Sequence, residues 1–211
     1  AECVQDIFAI HFPEAATGAD LTWGKGRFWA WDHGLRVYGF DIDTAGGAEV
    51  RSNYLAVPIR DRGVDVAVFD PPFIFSAGLR GIVGAKRFFL GSPEANQDRF
   101  YGGPGRDSPL RIAAARNARE LEAHTAAVMI EMRRIARLGC IMKGQNLIIN
   151  EHPNWWTHQV IGMGLAFWQT YPEDELIQVS PAARIRDQRW QRQRHFRRAE
   201  ARYLVYTWKE R

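Results

Sequence analysis

The sequence predicts a single α/β domain built around a mainly parallel β-sheet. Short apolar segments of strand type alternate with helical patterns along the 211 residues. The clearest segment, residues 64–69 (VDVAVF), is almost continuously apolar, as in a strand buried on both faces of a parallel sheet. A chain of this length can bury a full core, so we expect one domain over residues 1–211.

The first half of the chain predicts one helix and four strands. The helix is amphipathic and ends at Pro13, because proline cannot continue it. The strand at 64–69 must end before two consecutive prolines. The predicted helix spans residues 3–12, and the predicted strands span residues 19–22, 36–40, 50–56 and 64–69.

The second half predicts a long loop, two helices and three strands. Residues 74–107 form the loop, and a segment this long is usually functional or disordered. A helix starts with Ser108 as N-cap and Pro109 at its first position, and Gly139 is its predicted stop after Arg137. A strand at 140–149, a helix at 155–168 and an antiparallel strand pair at 175–179 and 202–208 complete the pattern.

Composition excludes several classes of protein. No apolar run reaches the roughly 18 residues of a membrane span, and the first residues lack a secretory pattern. Cys3 and Cys140 share no motif, which favours reduced thiols in a cytoplasmic protein. We expect no metal site: the cysteines have no ligand spacing, and His152 and His158 have no carboxylate at ligand spacing.

The motif Asp70-Pro71-Pro72-Phe73 ends the clearest strand. It resembles the catalytic motif of the S-adenosylmethionine-dependent amino-methyltransferases that act on adenine N6 or cytosine N4. By this resemblance, the Asp70 carboxylate and the Pro71 carbonyl accept hydrogen bonds from the two N–H groups of the amine. They thereby direct the nitrogen lone pair at the methyl group of the cofactor. Pro72 adds rigidity and Phe73 stacks on the base. The alternative is a strand-ending turn without chemistry.

A glycine-bearing segment fifty residues upstream, Asp20-Leu21-Thr22-Trp23-Gly24-Lys25-Gly26, resembles the cofactor loop of the same family. It follows a predicted strand and precedes a helical start at Arg27. Glycines let the backbone approach the methionine part of S-adenosyl-L-methionine, and Asp20 would attract its ammonium. Thr22, Trp23 and Lys25 belong to the predicted cofactor site. A plain strand-to-helix turn is the alternative.

Two further segments complete the cofactor site that the resemblance implies. Asp41, with Ile42 beside it, ends the second strand and is the candidate for the ribose hydroxyls; Asp43 is the second choice. Asn53, followed by Tyr54, stands where the family has an acidic residue that contacts the adenine amine, and its amide oxygen can accept that bond. The order of the motifs and the later elements imply a Rossmann-like methyltransferase sandwich: three layers, with a mainly parallel seven-stranded sheet and an antiparallel last strand.

Nucleic-acid binding is predicted from two basic segments. The 74–107 loop interleaves cations such as Arg99 with aromatic residues, which suits phosphates and extruded bases. Residues 184–202 hold eight arginines although the net charge of the chain is only +4. The candidates in this second segment are Arg192, Arg194, Arg197 and Arg198. The alternatives are a loop whose aromatics pack on the domain and a solvated arginine-rich hairpin.

The leading hypothesis is a compact DNA adenine-N6 methyltransferase of phage or bacterial type. By the resemblance, Asp at position 70 favours adenine over cytosine, and DNA is favoured over RNA as the partner. A homodimer or a partner subunit could complete target recognition, and no membrane partner is expected. The alternatives are an RNA adenine or guanine methyltransferase, a non-catalytic nucleic-acid-binding subunit, and a small-molecule or protein methyltransferase.

Overall fold

The chain forms an α/β structure. In the computed structural model the described residues are 2–31, 33–42, 44–70, 118–149, 152–179 and 200–208. Their helices are α1 (Glu2–His11), α2 (Ala118–Ile135) and α3 (Trp156–Trp168). Their strands are β1 (Thr17–Asp20), β2 (Arg36–Asp41), β3 (Val50–Arg51), β4 (Val64–Phe69), β5 (Ala136–Gly144), β6 (Leu147–Ile149), β7 (His152–Asn154), β8 (Asp174–Val179) and β9 (Glu200–Thr207).

Seven strands form one mixed sheet in the order β3-β2-β1-β4-β5-β9-β8. The five strands from β3 to β5 are mutually parallel, whereas β9 runs antiparallel to β5 and to β8. The predicted α/β class, the mainly parallel sheet and the antiparallel pair at its end are therefore confirmed. β6 and β7 form a separate two-stranded sheet.

Helices cover both faces of this sheet, because the central strands are apolar on both sides. Along β4, Val66 and Val68 belong to the cluster under α1, while Ala67 and Phe69 belong to the cluster under α2 and α3. All six side chains of β4 are buried. This two-sided burial is the physical reason for the continuous apolar run in the sequence.

A buried carboxylate fixes the strands at the amino-terminal end of β4. Asp65 accepts hydrogen bonds from the backbone N–H groups of Ala16 and Thr17, at 2.9 and 3.0 Å, and from the Arg137 guanidinium at 2.7 Å. Burial alone would raise the pKa of Asp65, but these hydrogen bonds lower it below its usual value. The network joins β1, β4 and β5 at the end opposite to the predicted motifs.

Several predicted boundaries in the first half are wrong. β1 starts at Thr17, two residues earlier than predicted, since Asp65 orders the backbone there. β3 has only two residues, and the predicted strand beyond Arg51 is a series of turns. Here the backbone N–H of Leu55 bonds to the Asn53 side chain at 3.0 Å, so local hydrogen bonding replaces the sheet ladder.

The boundary after α2 is also different from the prediction. α2 ends at Ile135 and β5 begins at the next residue, so Gly139 lies inside a strand and does not end the helix. A Cβ at Gly139 would collide with the Tyr206 carbonyl oxygen and the Phe12 ring. The glycine is required for close packing between β5, β9 and the residue that follows α1.

The predicted strand at 140–149 is two strands, β5 and β6, interrupted at residues 145–146. The interruption has a structural role, because the Asn146 side-chain oxygen accepts hydrogen bonds from the N–H and hydroxyl of Thr157, at 3.1 and 2.9 Å. Asn146 thereby satisfies an amide at the start of α3. The 74–107 loop, the predicted helix start at Ser108 and Pro109, and the arginine-rich segment at 184–199 lie outside the described residues.

Among the helices that the structure describes, none is long and apolar enough to cross a membrane. The described residues also contain no group of three or more His, Cys, Asp or Glu side chains arranged to hold a metal ion.

Candidate functional site

Three carboxylates meet at the carboxyl ends of neighbouring parallel strands. Asp20 ends β1, Asp41 ends β2 and Asp70 directly follows β4. β1 lies between β2 and β4 in the sheet, so the chain order reverses at this strand. In open α/β sheets, ligands bind outside the carboxyl ends of the strands at such a reversal point. All three acids were predicted site residues, and the fold brings them to one edge.

The glycine loop has a backbone that only glycine adopts readily. Gly24 and Gly26 have φ angles of 55° and 65°, in the left-handed region. The Trp23 indole packs so closely that a Cβ on Gly26 or Gly39 would come within 2.7 or 2.6 Å of it. One turn of 3-10 helix, Arg27–Trp29, follows the loop. The helical start predicted at Arg27 is therefore present, as a single 3-10 turn.

Asp20 organises this loop from within. Its side chain has 1% exposure and accepts hydrogen bonds from the Thr22 backbone N–H at 2.9 Å and the Trp29 indole N–H at 2.8 Å. Burial raises the pKa of Asp20 to about 7, with smaller contributions from the negative charges of Asp70 and Asp41. A direct contact of Asp20 with a cofactor ammonium stays a prediction, whereas its hydrogen bonds fix the path of the loop.

Asp70 forms hydrogen bonds with a residue that follows β1 and with a residue of β5, the two strands next to β4. Its backbone N–H donates to the Thr22 hydroxyl at 2.8 Å, which links the glycine loop to the start of the Asp-Pro-Pro-Phe motif. Its carboxylate forms a 2.5 Å ion pair with the Lys143 ammonium, from β5. Burial raises the pKa of Asp70, and the charge and hydrogen bond of Lys143 oppose that rise. Its side chain keeps 28% exposure.

The second strand contributes a carboxylate that is tied to the loop. The Gly24 backbone N–H donates to Asp41 Oδ2 at 2.8 Å, and the Ser52 N–H donates to the Asp41 carbonyl at 2.8 Å. Ile42 follows at the same edge and is partly buried, while Lys25 is exposed at the tip of the loop. Asp41 is thus positioned between the glycine loop and the turn after β3.

Asn53 and Tyr54, which were predicted to contact the adenine of the cofactor, make contacts with other parts of the protein. Asn53 is exposed, and its side-chain oxygen already accepts the Leu55 N–H. The Tyr54 hydroxyl lies 2.6 Å from His124 Nδ1 on α2, and the Tyr54 ring packs 5.2 Å from the Phe69 ring. These contacts anchor the turn to α2 and β4. Contact of Asn53 or Tyr54 with a cofactor stays a prediction.

The remaining predicted site residues lie outside the described residues. They are Asp43, Pro71, Pro72, Phe73, Arg99, Arg192, Arg194, Arg197 and Arg198. Of the predicted site, the structure therefore describes the segments that the resemblance assigns to cofactor binding and the first residue of the Asp-Pro-Pro-Phe motif.

Two residues of the site were missed by sequence reasoning. Trp29 donates to Asp20, and Lys143 pairs with Asp70. Both lie in segments that resemble the family, but no role was predicted for either side chain, and nothing local in the sequence marks their partners. Trp156, the first residue of α3, has 1% exposure in the core. Trp155 is 43% exposed and its ring contacts the His158 ring at 5.7 Å.

Comparison with known proteins adds little to this geometry. No family model and no curated protein matches the chain. A solved structure described as "Crystal Structure of PH0851" is similar at 12% identity with a TM-score of 0.44. The match covers 97% of this chain and 45% of that one, so the chain spans less than half of the other protein.

Proposed function

We propose that the chain is a methyltransferase that uses S-adenosyl-L-methionine to methylate the exocyclic amino group of a nucleic-acid base, adenine N6 in DNA. The proposal includes the finer assignment of the fold as a Rossmann-like methyltransferase sandwich. The cofactor would bind at the carboxyl ends of β1 and β2, and the base would lie against Asp70.

The observation that supports the proposal most strongly is the direct link between the two predicted motifs. The Thr22 hydroxyl, in the glycine loop, accepts the backbone N–H of Asp70 at 2.8 Å. A cofactor at the loop and an acceptor amine at Asp70 would therefore be neighbours. Methyl transfer requires this proximity because donor and acceptor must align in one site.

The residues that are present fit the cofactor. Asp41 offers a carboxylate for ribose hydroxyls, and its position relative to the loop is fixed by Gly24 N–H. Gly24 is exposed and in the left-handed region, so a ligand can approach its backbone closely. S-adenosyl-L-methionine supplies an electrophilic methyl group on a positively charged sulfur.

Asp70 performs the chemistry that the base requires. The lone pair of an exocyclic amine is delocalised into the ring, which makes the amine a poor nucleophile. The ionised Asp70 carboxylate accepts one N–H of the amine and favours the tetrahedral geometry in which the lone pair is available. No covalent enzyme intermediate is needed, so the contribution of the chain is positioning and electrostatics.

The test is a transfer assay with methyl-labelled S-adenosyl-L-methionine. Duplex DNA, single-stranded DNA and mixed RNA are offered separately, and the digested nucleosides are identified by mass. We expect label in N6-methyladenine from DNA. Label in N6-methyladenine from RNA alone would move the substrate to the alternative polymer, and label in N4-methylcytosine or a methylated guanine would change the base. Cofactor binding without transfer to any polymer would contradict the proposed reaction.

Asp70→Asn gives the matched test of the catalytic residue. The amide is nearly isosteric but has no negative charge, so we expect transfer to fall by a factor of about 100 or more. Cofactor affinity measured by calorimetry should change little, because the cofactor loop is intact. Asp174→Asn removes an exposed carboxylate from β8 and should retain wild-type transfer. Full activity of Asp70→Asn would refute the assignment.

A further inference from the structure

Lys143 occupies a position that fold stability does not explain. It lies on β5 beside Asp70, and its ammonium contacts Asp70 Oδ2 at 2.5 Å. The Lys143 and Asp70 side chains are 25% and 28% exposed. A pair between partly buried groups is weak evidence for a stabilising role, because the loss of hydration offsets the attraction between the charges. The pair nevertheless stands at the first residue of the catalytic motif.

A second contact orders the lysine from the opposite side. Lys143 is the register partner of Tyr203 on the antiparallel strand β9, and its ammonium lies 6.0 Å from the centre of the Tyr203 ring. This is at the outer limit for attraction between a cation and an aromatic face. The Tyr203 hydroxyl donates to Gln178 Oε1 at 2.9 Å, on β8. A chain of contacts therefore runs from β8 through β9 and β5 to Asp70.

We propose that Lys143 is a positioning residue for the methyl-transfer reaction, which holds Asp70 in its ionised form with one oxygen directed towards the acceptor amine. This inference rests on the proposed function. Lys143 binds Oδ2, so Oδ1 is the oxygen that accepts the N–H of the base. An isolated carboxylate could rotate between orientations, whereas the ion pair fixes one of them. Lys143 itself does not touch the reacting atoms.

The charges that face Asp70 give the sign of the expected effect. Among the described residues these are the Lys143 ammonium on β5 and the Asp20 carboxyl on β1, and the Tyr203 hydroxyl on β9 is a third titratable group near Asp70. Burial raises the pKa of Tyr203 to about 12, so its hydroxyl is neutral near pH 7. Among the described residues, Lys143 is thus the cation that opposes the rise in the Asp70 pKa caused by burial. Removing it should raise the pKa of Asp70 and move the acidic limb of the activity profile to higher pH.

The experiment measures kcat, KM for S-adenosyl-L-methionine and KM for DNA against pH in wild type, Lys143→Met, Lys143→Gln and Lys143→Arg. The pKa of the Asp70 carboxyl is read in each protein by carbon NMR without substrate. Arg36→Met is the control, because it removes an exposed cation, paired with Glu49, from the first residue of β2.

We expect both neutral variants to lower kcat by a factor of about 10–100 with KM for the cofactor unchanged. Their acidic limb and the NMR pKa of Asp70 should rise together by about one pH unit. Lys143→Arg should recover the wild-type profile in part, and Arg36→Met should follow wild type.

An unshifted profile in Lys143→Met and Lys143→Gln, with wild type active, would refute the inference for Lys143 alone. A rise in KM for DNA at unchanged kcat would also refute it, since Lys143 would then contact the polymer. Absence of methyl transfer by wild type would refute the proposed function itself, and the role of Lys143 with it.

Discussion

At the scale of single residues, the Asp20 carboxyl is buried, and no cation pairs with it among the residues that the structure describes. Its carboxylate receives hydrogen bonds from Thr22 and Trp29 only, among the described residues, and lies near two other acids. The arrangement favours the protonated form, and the pKa is about 7. The loop that we assign to cofactor binding is thus centred on an acid that titrates near neutral pH.

The raised pKa of Asp20 predicts that the free energy of unfolding depends on pH. Because the folded chain binds this proton more tightly than the unfolded chain does, the stabilisation is complete below the unfolded pKa near 4 and is lost as the pH rises through about 7. Asp20→Asn removes the ionisation. Relative to this variant, wild type should lose on the order of 4 kcal/mol of unfolding free energy between about pH 4 and about pH 8.

Urea unfolding at several pH values measures this difference. Glu122→Gln, which removes an exposed carboxylate from α2, is the control and should show no such pH-dependent difference from wild type. Parallel curves for wild type and Asp20→Asn would mean that the Asp20 carboxyl is not shifted as its burial indicates.

Single residues also show how much of the candidate site could be predicted from the sequence. Asp41 and Asp70 were predictable because each ends a predicted strand, and Asp20 because it begins the segment that resembles a cofactor loop. Parallel strands bring their carboxyl ends to one edge of the sheet. Lys143 was not predictable as a partner of Asp70. It is 73 positions away along the chain, and only the register between β4 and β5 places the two side chains together.

At the scale of elements, Gly139 shows why a helix boundary was misread. A glycine after an amphipathic helix is the usual sign of a helix end, but here it lies in β5 against the Tyr206 carbonyl and the Phe12 ring. Periodicity predicted the helices, the buried strand β4 and the final strand pair. Several missed boundaries are those where tertiary contacts, such as the Asn146 cap and the Asp65 network, overrode local preference. The end of β3 differs, because there a local hydrogen bond from Leu55 to Asn53 replaces the sheet ladder.

Gly139→Ala should therefore destabilise the protein. The added methyl group meets backbone and a buried ring, neither of which can move freely, so we expect a loss of about 2–3 kcal/mol in the free energy of unfolding. Gly162→Ala is the matched comparison, because Gly162 is exposed on α3 with no neighbour within 4 Å of its added Cβ. It should gain about 0.5–1 kcal/mol from helix propensity. Chemical denaturation measures both, and equal effects would contradict the packing assigned to Gly139.

At the scale of the whole molecule, the two ends of the parallel strands carry different kinds of carboxylate. Asp65 lies at the amino-terminal end, where backbone amides and Arg137 satisfy it and lower its pKa. Asp20 and Asp70 lie at the other end, and burial raises the pKa of both. Raised carboxyl pKa values are typical of functional sites, whereas a fully satisfied carboxylate stabilises the fold. The sheet thus separates an end whose carboxylate stabilises the fold from the end at which we propose that the cofactor and the base bind.

This separation predicts opposite phenotypes for two similar substitutions. Asp65→Asn removes the charge that binds Arg137 and should lower the unfolding free energy at neutral pH by about 2 kcal/mol. The loss should shrink as the pH falls through the lowered pKa of Asp65, because wild type then loses the same charge.

Asp41→Asn should leave stability within about 0.5 kcal/mol but weaken S-adenosyl-L-methionine binding about tenfold, since the amide is a poorer acceptor for ribose hydroxyls. Urea unfolding measures the stability of both variants, and calorimetry measures their affinity for S-adenosyl-L-methionine. Equal loss of cofactor affinity in Asp65→Asn would show that the two ends of the sheet do not act independently.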